Sequence, residues 1–153
     1  MVRLTLSDLV RDGRIETVPA DLVAARSRVQ EAKRHLASAD ILTGSDPTAA
    51  YSLLYDAARK AVTAHMLAKG YRAANRPGAH RAVALYAEVT LADGEAASHI
   101  RAFDRMRQVR NRSEYDHQPV TARVLSTDLA HATAIVAAVE ASLNASPRRP
   151  SPG

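Results

Sequence analysis

A chain of 153 residues with 46% hydrophobic and only 4% aromatic side chains fits one domain with a sizeable core, and its alanine content makes helix the expected element. The absence of cysteine excludes disulfides and thiolate zinc sites and suits a cytoplasmic protein. No run approaches the ~20 apolar residues of a membrane span, and the N-terminus lacks a charged start followed by an apolar core, so neither insertion nor secretion is expected. Of the formal net charge of +5, Arg148 and Arg149 supply two, which leaves +3 for residues 1–145. That charge permits contact with nucleic acid without demanding it.

Residues 1–20 read as a short lead in which Ser7 caps a brief turn through Val10, Gly13 ends it and Pro19 blocks continuation. A first long helix is predicted from Asp21 to Leu42, because Leu22, Ala25, Val29, Ala32, Leu36 and Ala39 recur in steps of three and four. Arg26, Arg28, Lys33 and Arg34 fall on its solvated side. Thr43-Gly44-Ser45 breaks the chain, and Asp46-Pro47 restarts it with an acidic cap and a proline at the first helical position. The second helix runs from Pro47 to Leu67 or Ala68 before Gly70, burying Tyr51, Leu54, Tyr55, Ala58, Val62 and Met66, with His65 tucked beside that face.

Residues 71–79 hold turn formers and read as a loop. A shorter third helix follows from His80 to Val89 on Val83, Ala84 and Ala87; a histidine at its start caps, binds an anion or does neither. After a turn at Asp93-Gly94, a fourth helix is predicted from Glu95 to Asp116 or His117, since Pro119 disfavours helix at Gln118. Ile100, Phe103, Met106 and Val109 give it a narrow apolar stripe. Thr121 caps a fifth helix whose seam is Leu125, Leu129, Ala132, Val136, Val139 and Leu143. The expected fold is all-α, an antiparallel up-and-down bundle of about five helices over residues 21–145. Residues 146–153, with no apolar content, are expected to be disordered.

The chain has no glycine-rich phosphate loop, no His-x-x-x-His and no nucleophile-elbow serine. Histidines at 35, 65, 80, 99, 117 and 131 never adopt ligand spacing, so neither a metal nor a cofactor is expected. The chemistry concentrates in Arg101–His117, RAFDRMRQVRNRSEYDH. At ~100° per residue, Arg107, Arg110, Asn111 and Glu114 become neighbours, Asn111 sits one turn from Tyr115, and His117 lies almost in line with Arg110. Arg110 and Glu114 at this spacing can form an ordinary surface ion pair. They can also belong to a site in which guanidinium groups grip a phosphate while His117 or Tyr115 exchanges protons.

A helical bundle whose arginine-rich fourth helix ends in Arg-Asn and a histidine resembles the HEPN family. The likeness is carried by FDRMRQVRNRSEYD and by TAAYSLLYDAARKAVTAHMLAKG of the second helix, and it spans residues 20–143. The family hallmark is arginine, four to six residues, then histidine, with a polar residue often after the arginine. Arg112 to His117 gives the four-residue spacing, and Arg110 to His117 gives six with Asn111 as the polar follower. Tyr115 stands where the form Arg-Asn-x-x-x-His has its histidine. The resemblance implies a metal-independent endoribonuclease of the toxin or defence type. It would work as a homodimer with a composite cleft, beside an antitoxin or nucleotidyltransferase partner. Arg110 or Arg112 would then bind the scissile phosphate, Asn111 orient it, and His117 assist proton transfer as the RNA 2′-hydroxyl attacks, leaving a 2′,3′-cyclic phosphate and a 5′-hydroxyl. Arg107 and Glu114 would support the site, and Tyr115 would stack on a base or bond the phosphate. Two other readings stay open. One is a non-catalytic HEPN module that binds nucleic acid, a nucleotide or a partner protein through the same helix. The other is a bundle whose basic helix only forms a dimer interface, a role the narrow apolar stripe also suits.

Overall fold

Four of the helices start where a side chain satisfies backbone N–H groups left open at a helix end. A computed structural model describes residues 3–145; the expected disordered tail, 146–153, lies outside them. In α1 (Leu6–Arg11) the cap is Thr5 rather than Ser7. Its hydroxyl accepts from the Asp8 N–H at 3.2 Å, and the Asp8 carboxylate accepts from the Thr5 N–H at 2.9 Å. Asp21 caps α2 (Leu22–Leu42), Asp46 with Pro47 starts α3 (Pro47–Lys69), and Thr121 caps α6 (Ala122–Asn144). Two helices have no side-chain cap, α4 (Ala79–Thr90) and α5 (Ala97–Tyr115). A single 3₁₀ turn, Gly94–Ala96, leads into α5.

The architecture is an all-α bundle. α2 lies along α3, α3 along α6, and α6 along both α2 and α5, while α4 closes against α3 and α5. Tyr51, Leu54, Tyr55, Phe103, Met106 and Ile135 are almost fully buried at the centre. Each such side chain contributes roughly 1.5–3 kcal/mol by leaving water. Ile100, Phe103 and Met106 of α5 are at most 2% exposed and Val109 packs against them, so that stripe is covered within one chain and offers nothing to a dimer.

The region expected as lead and loop holds a feature that periodicity does not show. β1 (Ile15–Thr17) pairs antiparallel with β2 (Tyr71–Ala73), Ile15 opposite Ala73 and Thr17 opposite Tyr71. Leu9 and Ile15 join the main core, so the lead belongs to the same folded unit as residues 21–145. The strands pair because Gly70 ends α3 with φ of 88°, turning the chain toward the lead, where its carbonyl accepts from the Val18 N–H at 2.9 Å. A Cβ at Gly70 would sit 2.9 Å from the Val18 carbonyl oxygen, so the turn has room for glycine alone. α6 is the one helix among the described residues long and apolar enough to cross a membrane. It packs on α2, α3 and α5 and buries an aspartate, Asp128.

Candidate functional site

The five arginines of α5 are sorted by the helix into different environments. Arg105 points at α6, where its guanidinium donates to the Asp128 carboxylate at 2.7 and 3.1 Å. Asp128 is fully buried and also accepts from the Tyr51 hydroxyl at 2.7 Å. Burial and the bond to Asp128 push the Tyr51 hydroxyl far above the ordinary phenol range, and Asp128 raises Arg105. This triad joins three helices and holds α5 in place, which makes Arg105 a structural residue.

Arg107 and Arg110 face α3 and α4. The Arg107 Nε lies 2.8 Å from Asp104, which also pairs with Arg81 at 2.9 Å. Burial opposes the charge on Asp104, yet the hydrogen bond and charge of Arg107, with Arg81, hold its carboxyl below the usual range. Arg110 pairs with Glu114 at 3.3 Å, and Glu114 is fixed from α3 by the Ser52 hydroxyl at 2.8 Å. Asn111 is half-buried beside them, with no side-chain hydrogen bond among the described residues.

Arg112 lies about 200° round the helix from Arg110, so the two cannot close on one phosphate. Exposed and without a carboxylate partner among the described residues, Arg112 borders a cleft of about 160 Å³ with Ser113, Gln118, Pro119 and Val124. Arg101 is likewise exposed and unpaired among the described residues, and Tyr115 is 73% exposed. His117 falls beyond the helix. α5 stops at Tyr115, and His117 adopts a left-handed φ of 52° that lets the Gln118 N–H reach back to the Arg112 carbonyl at 3.3 Å. Its exposed imidazole makes no hydrogen bond to Arg110, Asn111 or any other described residue. The alignment of His117 with Arg110 held only for a helix that continued two residues further.

A different histidine shares Arg110's surroundings. His80, at the start of α4, has its Nδ1 3.5 Å from the hydroxyl of Tyr55, which stacks on Phe103 at a centroid distance of 5.9 Å. Burial pushes the His80 imidazole below its ordinary range, and the charges of Arg59 and Arg110 push it the same way. Burial raises Tyr55 to about 12 against the pull of Arg59, Arg107 and Arg110. Arg59 of α3 pairs with Asp56 at 3.4 Å. Where α3, α4 and α5 meet, the charges of Arg59, Arg107 and Arg110 thus act on both Tyr55 and His80. Tyr55 was expected only as core and Arg59 was not expected at all, because His80, on which both bear, lies more than twenty residues away in sequence.

Two other histidine contacts lie elsewhere. His99 and His131 face each other at 2.9 Å between their Nδ1 atoms, one donating and one accepting. Burial, then His99, lowers His131. His65 is buried against the Tyr86 hydroxyl at 2.9 Å, and burial, then Lys69, depresses it to about 4. Among the described residues no group of three or more His, Cys, Asp or Glu side chains is placed to hold a metal ion. A cavity of about 590 Å³ lies by the β1–β2 pair against α2 and α3, and no α5 residue lines it.

No family model matches this chain, and no curated protein or solved structure does either. Function is therefore read from the chemistry of α5 and of the side chains packed around it.

Proposed function

We propose that this chain is a HEPN-like helical module that binds single-stranded RNA along the outer face of α5. The observation that supports this is the exposure of Arg101 and Arg112 without carboxylate partners among the described residues, with Tyr115, 73% exposed, three residues beyond Arg112. The two guanidiniums are roughly 16 Å apart along the axis, a separation suited to different phosphates of one strand. An exposed tyrosine beside them gives a base a face to stack on, and stacking tolerates any base. This reading takes the chain as a binding module first. Any self-association must use a surface other than the Ile100–Phe103–Met106 stripe, which the monomer covers.

The endoribonuclease reading is the second one, and one observation favours it: His80 lies against Tyr55, and the charges of Arg59, Arg107 and Arg110 act on both. Fluorescence anisotropy with a labelled single-stranded RNA tests the binding reading. Arg112→Gln and Tyr115→Ala should each weaken binding, the tyrosine change by 1–3 kcal/mol, or about 5- to 150-fold. Affinity unchanged in both variants would remove the outer face of α5 from consideration.

A further inference from the structure

We propose that the cleft between the end of α5 and the start of α6 seats a terminal phosphate monoester of the bound strand, an inference that rests on the RNA-binding reading above and adds which part of the strand is held there. The cleft measures about 160 Å³. Val109, Val120 and Val124 wall it, each half-buried, while Arg112 and Gln118 are exposed at its rim. Pockets for whole small molecules run to roughly 300–1,000 Å³, so this one takes a single group rather than a nucleotide. Its most buried lining residue is Ser113, 7% exposed, whose hydroxyl has no hydrogen-bond partner among the described residues. A helical hydroxyl can bond the carbonyl one turn back. Thr90 does so on Tyr86 at 2.8 Å and Thr133 on Leu129 at 2.7 Å, but Ser113 makes no such bond. A buried hydroxyl without a partner costs stability, and native structures keep few of them. A ligand oxygen in the cleft completes it.

The α6 side of the cleft adds backbone donors and positive charge. The Val124 N–H is taken by the Thr121 hydroxyl at 3.2 Å, whereas those of Ala122 and Arg123 have no intrahelical acceptor. The helix dipole is positive at this end and favours a phosphate. α2 and α3 meet theirs with aspartate caps; the α6 cap is a neutral threonine, and its first turn holds Arg123 in place of an acid. Arg112 has no carboxylate partner among the described residues, because Glu114 is held by Arg110 and Ser52. At the end of α5 the Arg112 carbonyl accepts from the N–H groups of Asp116 and Gln118, so it is not left open to repel an anion. A phosphate monoester carries a charge of about −1.5 to −2 at pH 7 and three free oxygens, more of both than an internal diester. It also enters a closed recess by one end, while a diester must leave it in two directions. Arg101 lies about 20° round α5 from Arg112, so the strand runs from the cleft back along that side of the helix.

The test compares three internally labelled single-stranded RNAs of one sequence, ending in a 5′-phosphate, in a 3′-phosphate or in hydroxyls only, by fluorescence anisotropy with the full chain. We expect a phosphate-ended strand to bind about tenfold tighter than the hydroxyl-ended one, the size of a hydrogen bond to a charged group. The end that gains reads the direction of the strand. Inorganic phosphate, added at constant ionic strength, should remove the gain. Arg112→Gln and Ser113→Ala should each lose it, the arginine change also weakening every strand. Ser113→Ala separates a ligand site from a packing role: deleting an orphaned hydroxyl leaves the melting temperature unchanged or raised, while the preference for a phosphate end disappears. Far-UV circular dichroism checks that both variants are folded. A wild type that binds the three strands equally overturns the inference while the binding reading stands. A full preference retained in Ser113→Ala overturns the cleft as the seat of the phosphate. A wild type that binds no RNA overturns that reading, and this inference with it.

Discussion

Replacing Asp128 with alanine should destabilise the fold by about 2–4 kcal/mol. Asp128 is fully buried and accepts three bonds, two from Arg105 and one from the Tyr51 hydroxyl. Alanine leaves the Tyr51 hydroxyl buried with no partner, which costs roughly 1–3 kcal/mol. The side chain of Arg105 is 48% exposed, so it regains water and its share falls to about 1 kcal/mol. Urea denaturation followed by circular dichroism gives the value, provided the m-value stays constant. A thermodynamic cycle isolates the reasoning: in a Tyr51→Phe background no hydroxyl is orphaned, so Asp128→Ala should cost about 1–3 kcal/mol less than it does alone. A single-variant cost below about 0.5 kcal/mol, or an equal cost in both backgrounds, would refute the triad as the tie between α3, α5 and α6.

Gly70→Ala should destabilise by about 1–3 kcal/mol, because alanine must adopt a φ of 88° and its Cβ would meet the Val18 carbonyl at 2.9 Å; an unchanged melting temperature would contradict that. His65 is held neutral at about 4, below its unfolded value near 6.5, so the unfolded chain binds a proton first as pH falls. The stability it contributes is present above pH ~6.5 and is lost as pH drops toward 4, by about 3 kcal/mol in all. His65→Gln should flatten the slope of unfolding free energy over that window, and an unaltered slope would show that His65 does not titrate as its burial implies.

The helices were legible because their signals are local. Asp21, Asp46-Pro47, Gly70 and Thr121 each act within one turn of themselves, and the apolar positions predicted for the five main helices are buried or packed on the core. The β1–β2 pair was not legible: three-residue strands carry no usable alternation, and Ile15 finds Ala73 only because α2 and α3 bring residues 58 apart together. The same division holds at the candidate site. The grouping of Arg107, Arg110 and Glu114 follows from helical periodicity, and the structure shows Arg110 paired with Glu114. The expected alignment of His117 with Arg110 failed because it assumed helix through a residue that turns left-handed at φ 52°. His80 and Tyr55 come under the charge of Arg110 from other helices, and no spacing in one sequence announces that.

The central claim, that exposed arginines on α5 hold RNA phosphates, is tested most directly by salt. Each phosphate contact on a single strand adds about −0.7 to the slope of log affinity against log salt concentration. Anisotropy titrations across a salt series should therefore show a slope shallower by about 1.4 in Arg101→Gln/Arg112→Gln than in wild type. A slope identical in the two proteins would mean that neither arginine touches the strand, and would contradict the account.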